Sequence, residues 1–421
     1  LIPITKEMNG HVPQIDKQAG MDFYFTDFTG CGGSIKEKNE DFKVFEILDN
    51  SVKNQISRFQ TKYFKMPLYL LEKNNIDSIH AINKVFRKER IKLKILGLKD
   101  AKAITLQYAT GEPRKVIQNM DVGDVKLKLI GFLASPLKKS HLAGNRFKII
   151  VSANCDYISK DTGSLYDVPN YYGLQRFGSE RLVTHLVGRE IIRKNFRVAL
   201  ELYLCHTTKY DSKFSREIRN ECLDKKNYKN VLKIMPKGMD IERIILSALV
   251  DGKSDIAALR SVPMTMRRFF VHSYQSYIFN KCISRALRDG QSLSKTKKDD
   301  LCFETKNGFS LGKLQKSQGT DQDTDVIPAI QLPGYGLKKT GGRFENIIFE
   351  ILKEEKIIPR DFFVNELPEL SIEGGYRQTT IMTSGFTFRE CNIEFTLPVG
   401  AYATTLLREL IKPIDPIRSG F

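Results

Sequence analysis

The chain has 421 residues, of which 41% are hydrophobic and 28% charged, enough apolar material for a sizeable core and for two domains. Lysine and arginine outnumber aspartate and glutamate by 67 to 49, a formal net charge of +18, which suits a polyanionic partner far better than a small acidic metabolite. No apolar run is long enough to span a bilayer and the opening residues lack the order of a signal peptide, so a cytoplasmic protein with no membrane partner is expected.

In chain order, Glu40–Ile47 alternates as a strand. From Asn75, which is placed to cap it, Ile76, Ile79, Ile82, Val85 and Phe86 step at helical spacing, and Arg87, Lys88 and Arg90 close the helix at its C-terminal end. The period then changes to two: Ile91, Leu93 and Ile95 read as a strand, Gly97 to Ala101 as a turn, and Ile104, Leu106 and Tyr108 as the next strand. Residues 51–150, which span these elements, hold 21 Lys+Arg against 7 Asp+Glu, so the positive charge is regional. Further strands are expected at Val125–Ile130 and at Phe147, Ile149 and Val151, with Gly144 and Asn145 just ahead.

After Val168-Pro169 the character becomes helical, with segments at Leu182–Ile191 and at Phe269–Leu287, the second ending at Gly290. Residues 290–326 are polar and read as a loop with one hairpin at Asn307-Gly308. Ile393, Phe395 and Leu397 form a last strand, and Ala403–Ile411 a short helix. The seven cysteines are odd in number and scattered, which supports buried thiols over a disulfide framework or a zinc ribbon. The six histidines have no metal-site spacing, and no phosphate-binding glycine loop or nucleophile elbow is present.

One carboxylate stands out. Asp100 lies on a glycine-containing turn between Lys99 and Lys102, where nearby positive charge keeps it ionised and fit to act as nucleophile or base. Locally it is first of all a turn former. Aromatics beside basic or amide residues, as in Asp41-Phe42-Lys43, Asn145-Arg146-Phe147 and Asn170-Tyr171-Tyr172, can stack a base and hold a phosphate, although most aromatics are core.

Taken together, six segments resemble the TruD family of tRNA pseudouridine synthases. They are Lys36 with Glu40-Asp41-Phe42-Lys43-Val44-Phe45-Glu46; Gly97-Leu98-Lys99-Asp100 with Ala103, Thr105 and Gln107; Gly144-Asn145-Arg146-Phe147; Val168 through Gly178, which contains NYxGxQRFG; Leu332-Pro333-Gly334; and Leu397-Pro398 through Gly400-Ala401-Tyr402-Ala403 to Leu410. The resemblance implies an RNA isomerase that converts uridine to pseudouridine in tRNA at position 13, with Asp100 catalytic, no cofactor and no metal. Phe42, Asn145, Phe147 and Tyr402 would line the uridine pocket, and Lys36 would pair with Asp100 or with a phosphate. The implied fold is α+β: a mixed, mainly antiparallel sheet with flanking helices formed by residues 1–166 and 381–421, and an inserted α/β domain at 167–380, in a V-shaped, monomeric molecule. Two departures are visible. Tyr172 and Tyr402 stand where the family often has Phe, and Ala101 stands where a basic residue commonly follows the aspartate, which leaves Lys99 or Lys102 for any phosphate contact there. The competing readings are a catalytically silent RNA-binding protein of the same fold and a basic ribosome-associated structural protein.

Overall fold

A computed structural model of the chain describes residues 11–27, 29–97, 99–153, 167–306, 309–319 and 325–421. The chain divides into two compact units, one of residues 29–167 with 381–420, the other of residues 1–28 with 168–380 and the terminal Phe421. Among the described residues no helix is long and apolar enough to cross a membrane.

The first unit is built on a ten-stranded sheet. Its N-terminal strands are β1 (Ser34–Ile35), β2 (Phe42–Leu48), β3 (Met66–Asn74), β4 (Lys94–Ile95), β5 (Ile104–Thr110), β6 (Asn119–Asp121), β7 (Val125–Leu133) and β8 (Leu142–Ser152). A C-terminal hairpin, Ser384–Arg389 and Asn392–Leu397, adds two more at one edge. From that edge the order is hairpin, β8, β2, β5, β3, β7, β6, with β1 also on β8 and β4 on β5. The β2–β5 pair is parallel and its neighbours are antiparallel, giving the mixed, mainly antiparallel sheet that was expected.

Strict alternation sets which side chains go inward. In β2, Phe42, Val44, Glu46 and Leu48 are buried and the residues between them are half-exposed. Because residues paired across strands share a face, the register lays Lys73, Thr105, Val44, Phe147 and Phe395 in one row. Two residues further along, Leu71 pairs with Gln107, and Glu46, Asn145 and Leu397 pair in turn. One face of the sheet thus carries a buried polar patch bounded by leucine and phenylalanine. The helix Ser78–Glu89 covers the same face at β3 and β7, where Ala81 and Val85 pack with Tyr69, Leu71, Val125 and Leu127.

That helix is capped by Asp77, whose carboxylate accepts from Ile79 N and His80 N at 2.9 and 3.0 Å, and not by Asn75. Asn75 instead takes a left-handed conformation, φ 54°, that turns the chain out of β3. Gly144 and Asn145 lie inside β8 rather than ahead of it. The C-terminal helix spans Ala403–Ile411 as expected and is buried along its whole length.

The second unit is organised on the helix Met264–Arg288, whose Phe270, Tyr274, Ile278, Phe279, Cys282 and Ile283 are fully buried. Gly188, in the helix Thr184–Ile192, lies against the Phe270 carbonyl so closely that a Cβ there would sit 2.0 Å from the oxygen. The unit's sheet runs Phe309–Lys316, Leu301–Lys306, Val326–Leu332, Gly375–Gln378, and every neighbouring pair is antiparallel, so the unit is α+β rather than α/β. The hairpin expected at Asn307-Gly308 is present as the antiparallel pair Leu301–Lys306 and Phe309–Lys316, so the stretch 290–326 holds more paired strand than the expected loop. The hairpin tip, Asn307-Gly308, lies outside the described residues.

The segment His11–Asp27 belongs with this second unit, contrary to the expected grouping. Polar contacts hold it to the long helix: Asn280 Nδ2 donates to Ala19 O at 2.9 Å, Ser284 Oγ donates to Gly20 O at 2.7 Å and accepts from Asp22 N at 3.0 Å, and Lys281 pairs with Asp22 at 2.9 Å. Cys222, Cys282 and Cys302 are buried free thiols, and Cys31 and Cys205 are free and half-buried. Cys391 is disulfide-bonded, which the scattered cysteine pattern did not suggest; Cys155 lies outside the described residues.

Candidate active site

Asp100 sits in the loop between β4 and β5, directly after Lys99, above the polar patch of the sheet. Its carboxylate Oδ2 is 3.1 Å from Lys36 Nζ. The two groups differ in depth: the Lys36 side chain is 7% exposed and that of Asp100 31%, so the cation is held inside while the carboxylate keeps an open side. Lys36 reaches it from the residue after β1, in a left-handed backbone conformation (φ 60°). Its ammonium also lies 4.6 Å from the centre of the Phe42 ring, a favourable cation–π distance. The end of β1 is anchored by its pairing with β8 and by Ile35 N donating to Ser419 O at 2.9 Å.

The loop itself is held from below. Lys73 Nζ donates to the Asp100 carbonyl oxygen, and Lys99 N donates to Ser78 Oγ at 2.9 Å, while that hydroxyl donates to Gln107 Oε1 at 3.2 Å. Lys73 is completely buried. Burial pushes its ammonium down to about 8, the carboxylates of Asp100 and Asp77 pulling the other way and Lys99 adding to the fall.

Lys99 turns inward, which removes it as a phosphate contact. Its Nζ donates to Asn145 Oδ1 at 2.7 Å and lies 3.0 Å from Glu46 Oε1, and the Glu46 side chain is wholly buried. Glu46 Oε2 accepts from Tyr108 N at 2.8 Å. An ammonium between a carboxylate and an amide oxygen is what makes this charge tolerable away from water. Lys102, next to the exposed Ala101, stays exposed.

The aromatic floor lies beside this network. Phe42 and Phe147 meet edge to face at 6.1 Å between centroids, Phe147 stacks on its cross-strand neighbour Phe395 at 5.2 Å, and Phe386 continues the row at 6.2 Å from Phe395. Of the six expected site residues, the structure joins Lys36 to Asp100 and to Phe42, and Phe42 to Phe147. Asn145 enters through Lys99, the neighbour of Asp100. Tyr402 is placed by the chain, five residues after Leu397, which pairs with Asn145, and its carbonyl opens the C-terminal helix by accepting from Thr405.

Glu46, Lys73 and Phe395 were not singled out from the sequence. Each occupies an inward position of an alternating strand, and a charged residue at such a position (Tyr69, Leu71, Lys73; Phe42, Val44, Glu46) is the signal that parity offers.

The family model for tRNA pseudouridine synthase D (TruD) matches residues 18–410. Curated relatives named tRNA pseudouridine synthase D from Methanococcoides burtonii and Archaeoglobus fulgidus are each 30% identical to the chain, over 97% and 94% of it and 99% of their own lengths. A solved structure of a TruD protein from Methanosarcina mazei superposes with a TM-score of 0.75 at 28% identity, covering 97% of this chain and all of that one. The chain belongs to the tRNA pseudouridine synthase D family.

Proposed function

We propose that this enzyme isomerises uridine to pseudouridine at position 13 of tRNA, with Asp100 as the catalytic carboxylate and without a cofactor. The observation that carries the assignment is the Lys36–Asp100 pair: a half-open carboxylate held at 3.1 Å by a buried ammonium, on a sheet face floored by phenylalanine. The reaction breaks the N1–C1′ bond, turns the base and joins C5 to C1′. No atom and no electron is gained or lost apart from exchange of the C5 proton with solvent, so the chemistry asks for no redox group or cosubstrate.

An ionised carboxylate serves this reaction as a nucleophile at the sugar or the base, or as the base that removes a sugar proton to give a glycal. The same carboxylate can take the C5 proton at the end. The pocket must keep a detached uracil while it turns, and Phe42, Phe147, Asn145 and Tyr402 are assigned that task. Removing a stacked uridine from its RNA costs a few kcal/mol, which base–aromatic stacking of about 1–3 kcal/mol helps to offset.

The test is release of tritium from C5-labelled uridine in tRNA. The unaltered chain is expected to release it, and Asp100→Asn to abolish release while tRNA binding stays within about threefold. Turnover retained by Asp100→Asn removes this carboxylate from the mechanism. Tight tRNA binding by the unaltered chain with no release favours a silent RNA-binding protein.

A further inference from the structure

We infer that Lys99, held by Glu46, is a positioning residue that fixes the direction of the Asn145 amide, and that the direction so fixed makes the pocket accept uracil and reject cytosine. The inference rests on the pocket assigned above. Lys99 Nζ lies 2.7 Å from Asn145 Oδ1. An ammonium has three donors and no acceptor, so only the amide oxygen can face it; the flipped amide would set NH2 against NH3⁺. Both partners are anchored. Glu46 is fixed at its other oxygen by Tyr108 N, and Asn145 is held in β8 between Glu46 on one side and Leu397 on the other. Nδ2 is left as the outward group of the amide, and among the described residues no acceptor is hydrogen-bonded to it.

A fixed donor has a particular meaning for a base that turns over. Rotation of uracil about the axis through N3 and C6 exchanges N1 with C5, which is what the isomerisation requires, and at the same time exchanges the C2 and C4 carbonyls. Both positions present an acceptor, so one immobile NH2 meets a carbonyl oxygen before the turn and again after it. Cytosine carries an amino group at C4. With the amide donor set against position 4 of the base as it is first bound, cytosine places a donor against a donor before any turn, with no rotation of the amide available to relieve it. Sites that leave such polar groups unmatched discriminate far more strongly than apolar ones.

The experiment uses the full chain with Asp100→Asn, to stop turnover, and tRNA carrying either uridine or cytidine at the target position. Uridine tRNA is expected to bind about tenfold more tightly than cytidine tRNA. Adding Lys99→Met should bring the two within about twofold, and Lys99→Arg, which is still a donor only, should restore the difference. In the chain that keeps Asp100, Lys99→Met should lower kcat by about tenfold or more while KM for tRNA stays within about threefold, a split that general loosening would not produce.

A folded Lys99→Met protein that still prefers uridine about tenfold overturns the inference. Should that variant fail to fold, equal binding of uridine and cytidine tRNA by the Lys99 protein overturns it, and weak binding of tRNA carrying 2-pyrimidinone, which lacks the C4 oxygen, supports it. The two readings fail separately. Turnover by Asp100→Asn removes the pocket itself, whereas an inactive Asp100→Asn with a preference insensitive to Lys99 removes only the role of Lys99.

Discussion

Three lysines surround Asp100 at unequal depth, and each is held by a different acceptor: Lys36 by the carboxylate, Lys73 by the backbone carbonyl, Lys99 by Glu46 and Asn145. Lys73 is the one that pH reaches. Its folded value is about 8 against an ordinary 10.5, because burial disfavours the charged form. Between those two values the unfolded chain binds the proton and the folded chain does not, so this group makes folding more favourable as pH rises through the window and less favourable below it. Lys73→Met removes the dependence. The stability of the unaltered chain relative to Lys73→Met should therefore rise by about 2 kcal/mol between pH 7.5 and 9.5, measured by urea unfolding of both proteins. The difference between variants cancels the other titrating groups, and a difference independent of pH would place the Lys73 ammonium in water. The sequence offers only the inward parity of Lys73 after Tyr69 and Leu71; its contact with the Asp100 carbonyl is not legible there, in a region of many lysines. Asp100 was legible because its local motif recurs with five others in order.

Among the elements, the helix Ser78–Glu89 has two separable tasks at adjacent residues. Asp77 caps it, and Ser78 reaches past it to the Asp100 loop through Lys99 N and Gln107. Asp77→Ala should lower stability by about 1 kcal/mol with kcat almost unchanged. Ser78→Ala, which deletes the hydrogen bonds to Lys99 N in the loop and to Gln107 in β5, should lower kcat several-fold for a similar loss of stability, each bond contributing about 1 kcal/mol. Thermal melting together with single-turnover rates separates the two, and equal kinetic effects from both variants would deny Ser78 its part in the loop. The helix itself was plain from its spacing, but its start was misplaced because Asn75 and Asp77 are both good caps. What decides between them is the geometry leaving β3, where Asn75 absorbs the turn and Ile76 joins the core beneath the first turn of the helix. The strand alternation of Phe42–Leu48 was legible for the opposite reason: its inward face is set by burial alone. The hairpin of residues 301–316 was legible from its Asn307-Gly308 turn signal, whereas its pairing with the buried strand Val326–Leu332 was not, because a long-range pairing leaves no local pattern.

Over the whole molecule, the concentration of charge in residues 51–150 coincides with the unit that carries the sheet and Asp100. Some of that charge is neutralised locally: Lys126 lies within 4.0 Å of Glu72 and Asp121, and Lys148 and Arg146 share Glu394. Lys92, Lys94, Lys102, Arg114, Lys138 and Lys139 are among those that remain exposed, so contact with several phosphates of a folded polyanion is the expectation. A protein that neutralises about six phosphates loses about a thousandfold in affinity between 50 and 200 mM salt. Binding of tRNA by the Asp100→Asn chain should fall by at least about a hundredfold over that range, measured by filter binding. The contribution of the target base obeys a different law. It arises from stacking and from a neutral amide, releases no counterions, and so should be the same factor at every salt concentration. Plotting affinity against salt for uridine and cytidine tRNA should give two steep parallel lines, the slope reporting the basic surface and the separation reporting the pocket. Lines that converge at high salt would mean that base discrimination is electrostatic and does not come from the amide, and a shallow slope would mean that the charge excess lies outside the RNA contact.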